Sequence, residues 1–176
     1  MIAKHQPQIF DETLMRARVS GKQDGTMKSN DANDAKEVIA NIRTFSKQAD
    51  FAYDHIVAMN VGAHADAWDE IIDVTTLPNH ALITIKDRVV ADALVTARKG
   101  VVLMLPVADC NAVAIHDPVN EVLAIVHLGW QSTAADLATK IVEYLEREHK
   151  SSPKDLRVYI SPSIRAESYI FETVFQ

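Results

Sequence analysis

Apolar residues recur at helical spacing over residues 34–49. Val38, Ile39, Ile42, Phe45 and Ala49 fall on one side, and Lys36, Glu37, Asn41 and Lys47 face water. That period predicts an amphipathic helix packed over a sheet, with Asn33 or Asp34 as its N-cap. A second stripe of Leu137, Ile141, Val142 and Leu145, with Glu143, Glu146 and Arg147 outward, predicts another helix. Ser132 or Thr133 can cap it, and Ser151-Ser152-Pro153 stops it. Short apolar runs at 12–20, 55–61, 68–74, 92–96, 101–107, 113–115, 122–126 and 156–160 predict strands, separated by Gly-, Pro- or Asn-containing breaks. Strands sit in adjacent runs and do not alternate with helices. The expected fold is therefore α/β, a mixed layered sandwich with antiparallel hairpins and two main helices, in a single domain over residues 1–176.

The most informative pattern lies at 107–130. Two apolar runs flank Asp117-Pro118-Val119-Asn120, which suits a type I turn with Asp at i and Pro at i+1. If Asp117 faces Asn120, that register sets Cys110 directly opposite His127. Directly opposed residues share a face with Cβ atoms about 4.5–5.5 Å apart. A thiol and an imidazole so placed can share a zinc ion. The expectation is sensitive to the turn, because a slip of one residue sends the two side chains to opposite faces.

Composition narrows the function. With 176 residues, 48% hydrophobic and 24% charged, the chain can bury an ordinary core. A net charge of −6 offers no electrostatic reason to expect nucleic acid or an anionic membrane as partner. One cysteine forms no internal disulfide, and no apolar run approaches the length of a membrane span, so the expected location is cytoplasmic. There is no GxSxG elbow, no glycine-rich dinucleotide or phosphate loop, and no HxH pair. Cys110 taken alone reads as a small buried hydrophobe, but Asp109 beside it and the facing His127 point towards a metal. His64, in a small-residue break beside Asp66, is a third candidate ligand. Histidines 5, 55, 80, 116 and 149 read as surface or turn residues.

Ala91-Asp92-Ala93-Leu94-Val95-Thr96, then Ala108-Asp109-Cys110, then His127-Leu128-Gly129-Trp130 resemble the ADALVT, ADC and HAGW motifs of the laccase-domain family. That family is also labelled multicopper polyphenol oxidase or peptidoglycan editing factor, and is associated with purine nucleoside phosphorylase and adenosine deaminase activity. Residues 33–43, 59–66 and 160–172 are similar to further family segments, and the last of these resembles GPSIGPCCYEV. The resemblance implies a zinc site of His64, Cys110 and His127 with an open fourth position, purine nucleosides and phosphate as substrates, and Asp109 as a carboxylate that holds a ligand or moves a proton. Copper is the disfavoured alternative, because seven scattered histidines do not supply a multicopper centre. Four positions depart from the pattern. Gln131 and Lys22 stand where arginine is usual, which removes the planar fork suited to phosphate, and Glu167 and Ser168 replace paired cysteines. The chain is also expected to be short at its C-terminus relative to the family. A non-catalytic nucleoside-binding or cell-wall quality-control protein that kept the metal pocket is the competing reading.

Overall fold

The computed structural model describes residues 6–28, 35–61, 67–77 and 88–169. Eight strands are present among them: β1 (Ile56–Asn60), β2 (Ile71–Asp73), β3 (Val89–Val90), β4 (Ala93–Thr96), β5 (Val102–Met104), β6 (Asn111–Asp117), β7 (Val122–Leu128) and β8 (Arg157–Ile160). The helices are α1 (Ala35–Ala49), α2 (Trp130–Ala134) and α3 (Leu137–His149). One sheet has the order β3-β1-β5 and is parallel; the other has the order β2-β4-β7-β6-β8. In the larger sheet only the β2–β4 pair is parallel.

Side-chain alternation along the strands sets the layers. On β1, Ile56 and Ala58 pack against Val38 and Ile42 of α1, while Val57 and Met59 pack on Leu94 of the other sheet. On β4, Ala93 and Val95 face Leu137, Ile141 and Leu145 of α3, and Leu94 faces back to β1. The order is therefore α1, small sheet, large sheet, α3. This is the layered α/β sandwich that the sequence pattern predicts.

The differences from that pattern are local. Residues 12–20 form no strand. The Asp11 carboxylate accepts the Thr13 N–H at 2.9 Å, the Asp11 carbonyl accepts the Leu14 and Met15 N–H groups, and the Val19 backbone pairs with the Gln6 side chain. These local and side-chain partners satisfy a backbone that would otherwise seek a neighbouring strand. The second helix starts earlier than expected and is broken. Gly129 is its N-cap, the hydroxyls of Ser132 and Thr133 turn back onto the Gly129 carbonyl, and Asp136 adopts a left-handed conformation (φ 59°) between α2 and α3. The proposed N-cap of α1 at Asn33 or Asp34 lies outside the described residues.

The β6–β7 register also differs. The strands pair Asp117 with Val122 and Ala112 with His127, leaving the four residues Pro118–Val119–Asn120–Glu121 in the loop. A two-residue type I loop would splay the strands, and the longer loop avoids this by placing Glu121 in the left-handed region (φ 56°). Asp117 Oδ1 accepts the Val119 and Asn120 N–H groups at 2.8 and 3.1 Å, and Oδ2 accepts the Asn120 amide at 2.7 Å. The shift is two residues, so Cys110 is a diagonal neighbour of His127 and not its direct partner, and the shared face survives.

Burial alone would raise the Asp117 pKa, but the Ser151 hydroxyl beside it and the hydrogen bonds from Asn120 and Val119 hold it down at about 2. Replacement by alanine removes a buried acceptor from three donors. Asp117→Ala is expected to cost roughly 1–3 kcal/mol in urea unfolding at neutral pH, and Asp117→Asn, which keeps an acceptor oxygen, less.

Candidate active site at the open end of the β6–β7 hairpin

The hairpin carries its two candidate residues to the end away from the turn. His127 is the penultimate residue of β7, and Cys110 immediately precedes β6. Val113 and Ile115, and Val122, Ala124 and Val126, take the face under α3. Alternation then directs His127 and Ala112 to the opposite face, the one that looks towards the small sheet. Gly129 closes the corner. A Cβ placed on it would lie 3.0 Å from His127 Cε1, 3.4 Å from His127 Nε2 and 3.4 Å from Cys110 Sγ. The sulfur and the imidazole nitrogen thus lie at the same distance from one point, and only a residue without a side chain leaves that point clear.

The corner is braced from three directions. Ser132 Oγ accepts the Gly129 N–H and donates to the His127 carbonyl, both at 2.9 Å. The Ala112 N–H donates to Ser161 Oγ, and the Ser161 N–H returns a bond to the Ala112 carbonyl, each at 2.9 Å. The Ile164 N–H donates to the Asp109 carbonyl at 3.0 Å. The segment after β8 therefore fixes the residues on both sides of Cys110, which gives the Ser161-Pro162-Ser163 stretch a structural reason.

Behind His127 stands Asp92, fully buried, with Oδ1 3.9 Å from His127 Nδ1. The Asp92 backbone also holds this strand edge: its carbonyl accepts the His127 N–H at 2.8 Å and its N–H donates to the Glu70 carbonyl at 2.9 Å. At that distance the two atoms make no direct hydrogen bond, and neither has another hydrogen-bond partner among the described residues, so the carboxylate stands behind the ring as a nearby negative charge. Sequence reasoning missed this role. Asp92 was visible only as part of the ADALVT segment, whereas the pairing of Ala93 with Val126 brings it beside His127. Asp109, the carboxylate expected to serve the site, is exposed and lines the adjoining cleft.

Burial pushes the His127 pKa down; Asp92 opposes this and Lys28 adds to it. Burial pushes the Cys110 thiol up, Lys28 opposes this, and Asp109 adds to it. The resting pair is consequently a neutral imidazole and a protonated thiol. A protonated thiol is a poor nucleophile. A neutral imidazole with one nitrogen backed by a carboxylate is the form that binds metal.

A cleft of about 1320 Å³ opens between the N-terminal segment, β5 and the outward face of β6 and β7, and reaches Asp109, Ala112 and Ser161. Cys110 and His127 lie beside its rim and are not part of its lining. His64 lies outside the described residues, as do His5 and His80. Among the described residues no group of three or more His, Cys, Asp or Glu side chains is gathered to hold a metal. Among them, too, no helix is long and apolar enough to cross a membrane. Two histidines expected at the surface are largely covered. His116 is 6% exposed with its ring edge-on to Phe10, and His149 Nε2 lies 2.9 Å from Asp73 Oδ2. His116 is buried because the N-terminal segment folds over this face of β6. Of the positions that depart from the family pattern, Lys22 lines the cleft, Gln131 is the second residue of α2, and Glu167 and Ser168 lie in an exposed single turn.

Comparison with known proteins shows the family and the fold of the chain. The family described as multi-copper polyphenol oxidoreductase laccase matches residues 16–176. A purine nucleoside phosphorylase of Clostridium acetobutylicum is 33% identical over 86 residues, 49% of this chain and 36% of that protein. An adenosine deaminase from an unknown prokaryotic organism is 32% identical over 73 residues, 42% of this chain and 28% of its own. Among solved structures, the hypothetical protein YfiH of Bacillus licheniformis superposes with a TM-score of 0.70 at 28% identity, covering 77% of this chain and 50% of that one. YlmD of Geobacillus stearothermophilus gives 0.69 at 26%, covering 79% and 51%. The chain spans about half the length of the solved relatives it matches.

Burial also pushes the His116 pKa below the ordinary imidazole value of about 6.5. A histidine whose folded pKa is depressed contributes stability that is present above the unfolded value and lost as pH falls through the folded one. His127 acts in the same direction. The thermal midpoint is expected to fall as pH drops below about 6.5, and His116→Gln is expected to flatten that dependence. Calorimetric scans at a series of pH values check both.

Proposed function

The chain belongs to the multi-copper polyphenol oxidoreductase laccase family, and from that premise we propose that it is a zinc-dependent purine nucleoside phosphorylase with adenosine deaminase activity. The observation that carries this reading is the convergence of Cys110 Sγ and His127 Nε2 on the space left by Gly129, with Asp92 behind the ring. The names of the relatives supply the substrate class: purine nucleoside phosphorylases, and one adenosine deaminase.

The donor set suits zinc. One sulfur and one imidazole nitrogen share a face, and His64 completes the triad by its place in the family motif. When bound, zinc supplies Lewis-acid polarisation and acidifies a coordinated water or hydroxyl. Copper is less well supported, since the histidines remain too few and too scattered for a multicopper centre. In phosphorolysis a phosphate oxygen forms a bond to C1′ while the C1′–N9 bond breaks, and the purine leaves with the electron pair and takes up a proton. In deamination water adds at C6 and ammonia departs. His127 contributes a neutral nitrogen in a fixed direction. Asp92 sets a negative charge behind that ring. Asp109, exposed on the cleft wall, is placed to exchange a proton with solvent. Gly129 and the Ser132 bonds keep the corner open and rigid.

A non-catalytic nucleoside-binding role is favoured by one observation, the lack of an arginine at both Lys22 and Gln131. Incubating the protein with adenosine or inosine and phosphate, and separating the products by chromatography, distinguishes the two. Release of free base with ribose 1-phosphate, or of inosine from adenosine, is expected, and Cys110→Ala is expected to abolish it. Nucleoside binding without turnover above that control would reject the enzymatic reading. Asp92→Asn is expected to lower zinc affinity about 10–100-fold in competition titrations while leaving the fold intact.

A further inference from the structure

Strand β8 ends the larger sheet, paired with β6 on one side and with no strand on the other among the described residues. The ladder fixes which backbone groups stay open. The Ser161 N–H donates to the Ala112 carbonyl at 2.9 Å, and the antiparallel pattern then turns the N–H and C=O groups of Tyr159 and Arg157 towards β6. Those of Val158 and Ile160 point away from it and meet no backbone partner among the described residues.

The same two residues carry exposed apolar side chains. Val158 sits opposite Ile115 and Ile160 opposite Val113, so both lie on the face under α3. There Val113 and Ile115 are 6% and 4% exposed, whereas Val158 and Ile160 are 42% and 60% exposed. The helix covers β4, β7 and β6 and stops short of β8. Edge strands commonly carry a lysine, a bulge or an inward charge that blocks another strand, and Val158, Tyr159 and Ile160 supply none of these.

The open edge is also self-complementary. Leu156 already donates its N–H to the Pro153 carbonyl at 3.3 Å, and Pro162 has no N–H to give. Within residues 156–162 the outward donors are therefore those of Val158 and Ile160. A two-fold axis through Tyr159 sets Val158 of each copy against Ile160 of the other, so each open donor meets an open acceptor. In that register Arg157 faces Ser161 of the second copy and Tyr159 faces Tyr159, so no like charges oppose. The exposed apolar side chains then form one stripe across the junction.

We propose that β8 is a homodimerisation edge, through which two copies of this chain join their larger sheets into one by antiparallel β8–β8 pairing.

Sedimentation equilibrium of the full chain, from micromolar to millimolar concentration, tests it, and a monomer–dimer equilibrium is expected. Val158→Pro removes an outward donor and leaves the bonds to β6 in place, and Ile160→Lys sets a charge on the junction. Each is expected to weaken the dimer at least about tenfold with an unchanged circular dichroism spectrum. Val90→Ser, on an edge strand of the other sheet, is expected to change it less than about twofold. Cross-linking reads the register separately. In a Cys110→Ser background, Tyr159→Cys makes a non-hydrogen-bonded pair across the two-fold with Cα atoms about 4.5 Å apart, within disulfide reach, so oxidation is expected to give a covalent dimer. Arg157→Cys, which faces Ser161, is expected to give far less. A wild type that stays monomeric at millimolar concentration, assembly beyond a dimer, a dimer unmoved by both Val158→Pro and Ile160→Lys, or cross-linking through Arg157→Cys in preference to Tyr159→Cys overturns the proposal.

Discussion

The rest of the site depends on the pairing of β6 with β7. A shift of one residue in this ladder would turn His127 into the layer beneath α3 and leave Cys110 alone. Asp117 is the residue that prevents the slip. Its carboxylate closes the turn through three hydrogen bonds, and Glu121 takes the left-handed conformation that lets the strands keep their twist. The apolar face then locks the register, because Val113, Ile115, Val122, Ala124 and Val126 are all needed under α3.

The same constraint explains the electrostatics. The face opposite α3 is where the N-terminal segment and the small sheet lean in, so His127 is buried, and the cleft on that face is lined by its neighbours and not by His127 itself. Burial keeps the imidazole neutral and the thiol protonated. Asp92, delivered by the pairing of β4 with β7, sets a negative charge behind the ring. Fold and chemistry are therefore joined at two ladder registers, one for the donor pair and one for the carboxylate behind it.

Much of this was legible in the chain because its signals are periodic. The stripes on α1 and α3 and the apolar runs of β1, β4, β7 and β8 follow from spacing, and Leu137, Ile141 and Leu145 are buried as their spacing requires. Features set by single residues were not legible. The helix break at Asp136 depends on a tolerated left-handed residue, and the irregular segment at 12–20 depends on side chains that capture its backbone. The hairpin register was misread by two because Asp117-Pro118 announces a turn without saying how long the loop is. That error was harmless only because two is the period of a strand. Asp92 was invisible as a partner, since it comes to His127 from a distant part of the chain.

The central claim is that Cys110 and His127 together hold a metal ion. Elemental analysis of protein purified without added metal tests it most directly, on wild type, Cys110→Ala and His127→Ala. The account predicts about one zinc per chain in the wild type and loss of it in both variants. A wild type without zinc, or zinc retained in both variants, would contradict it.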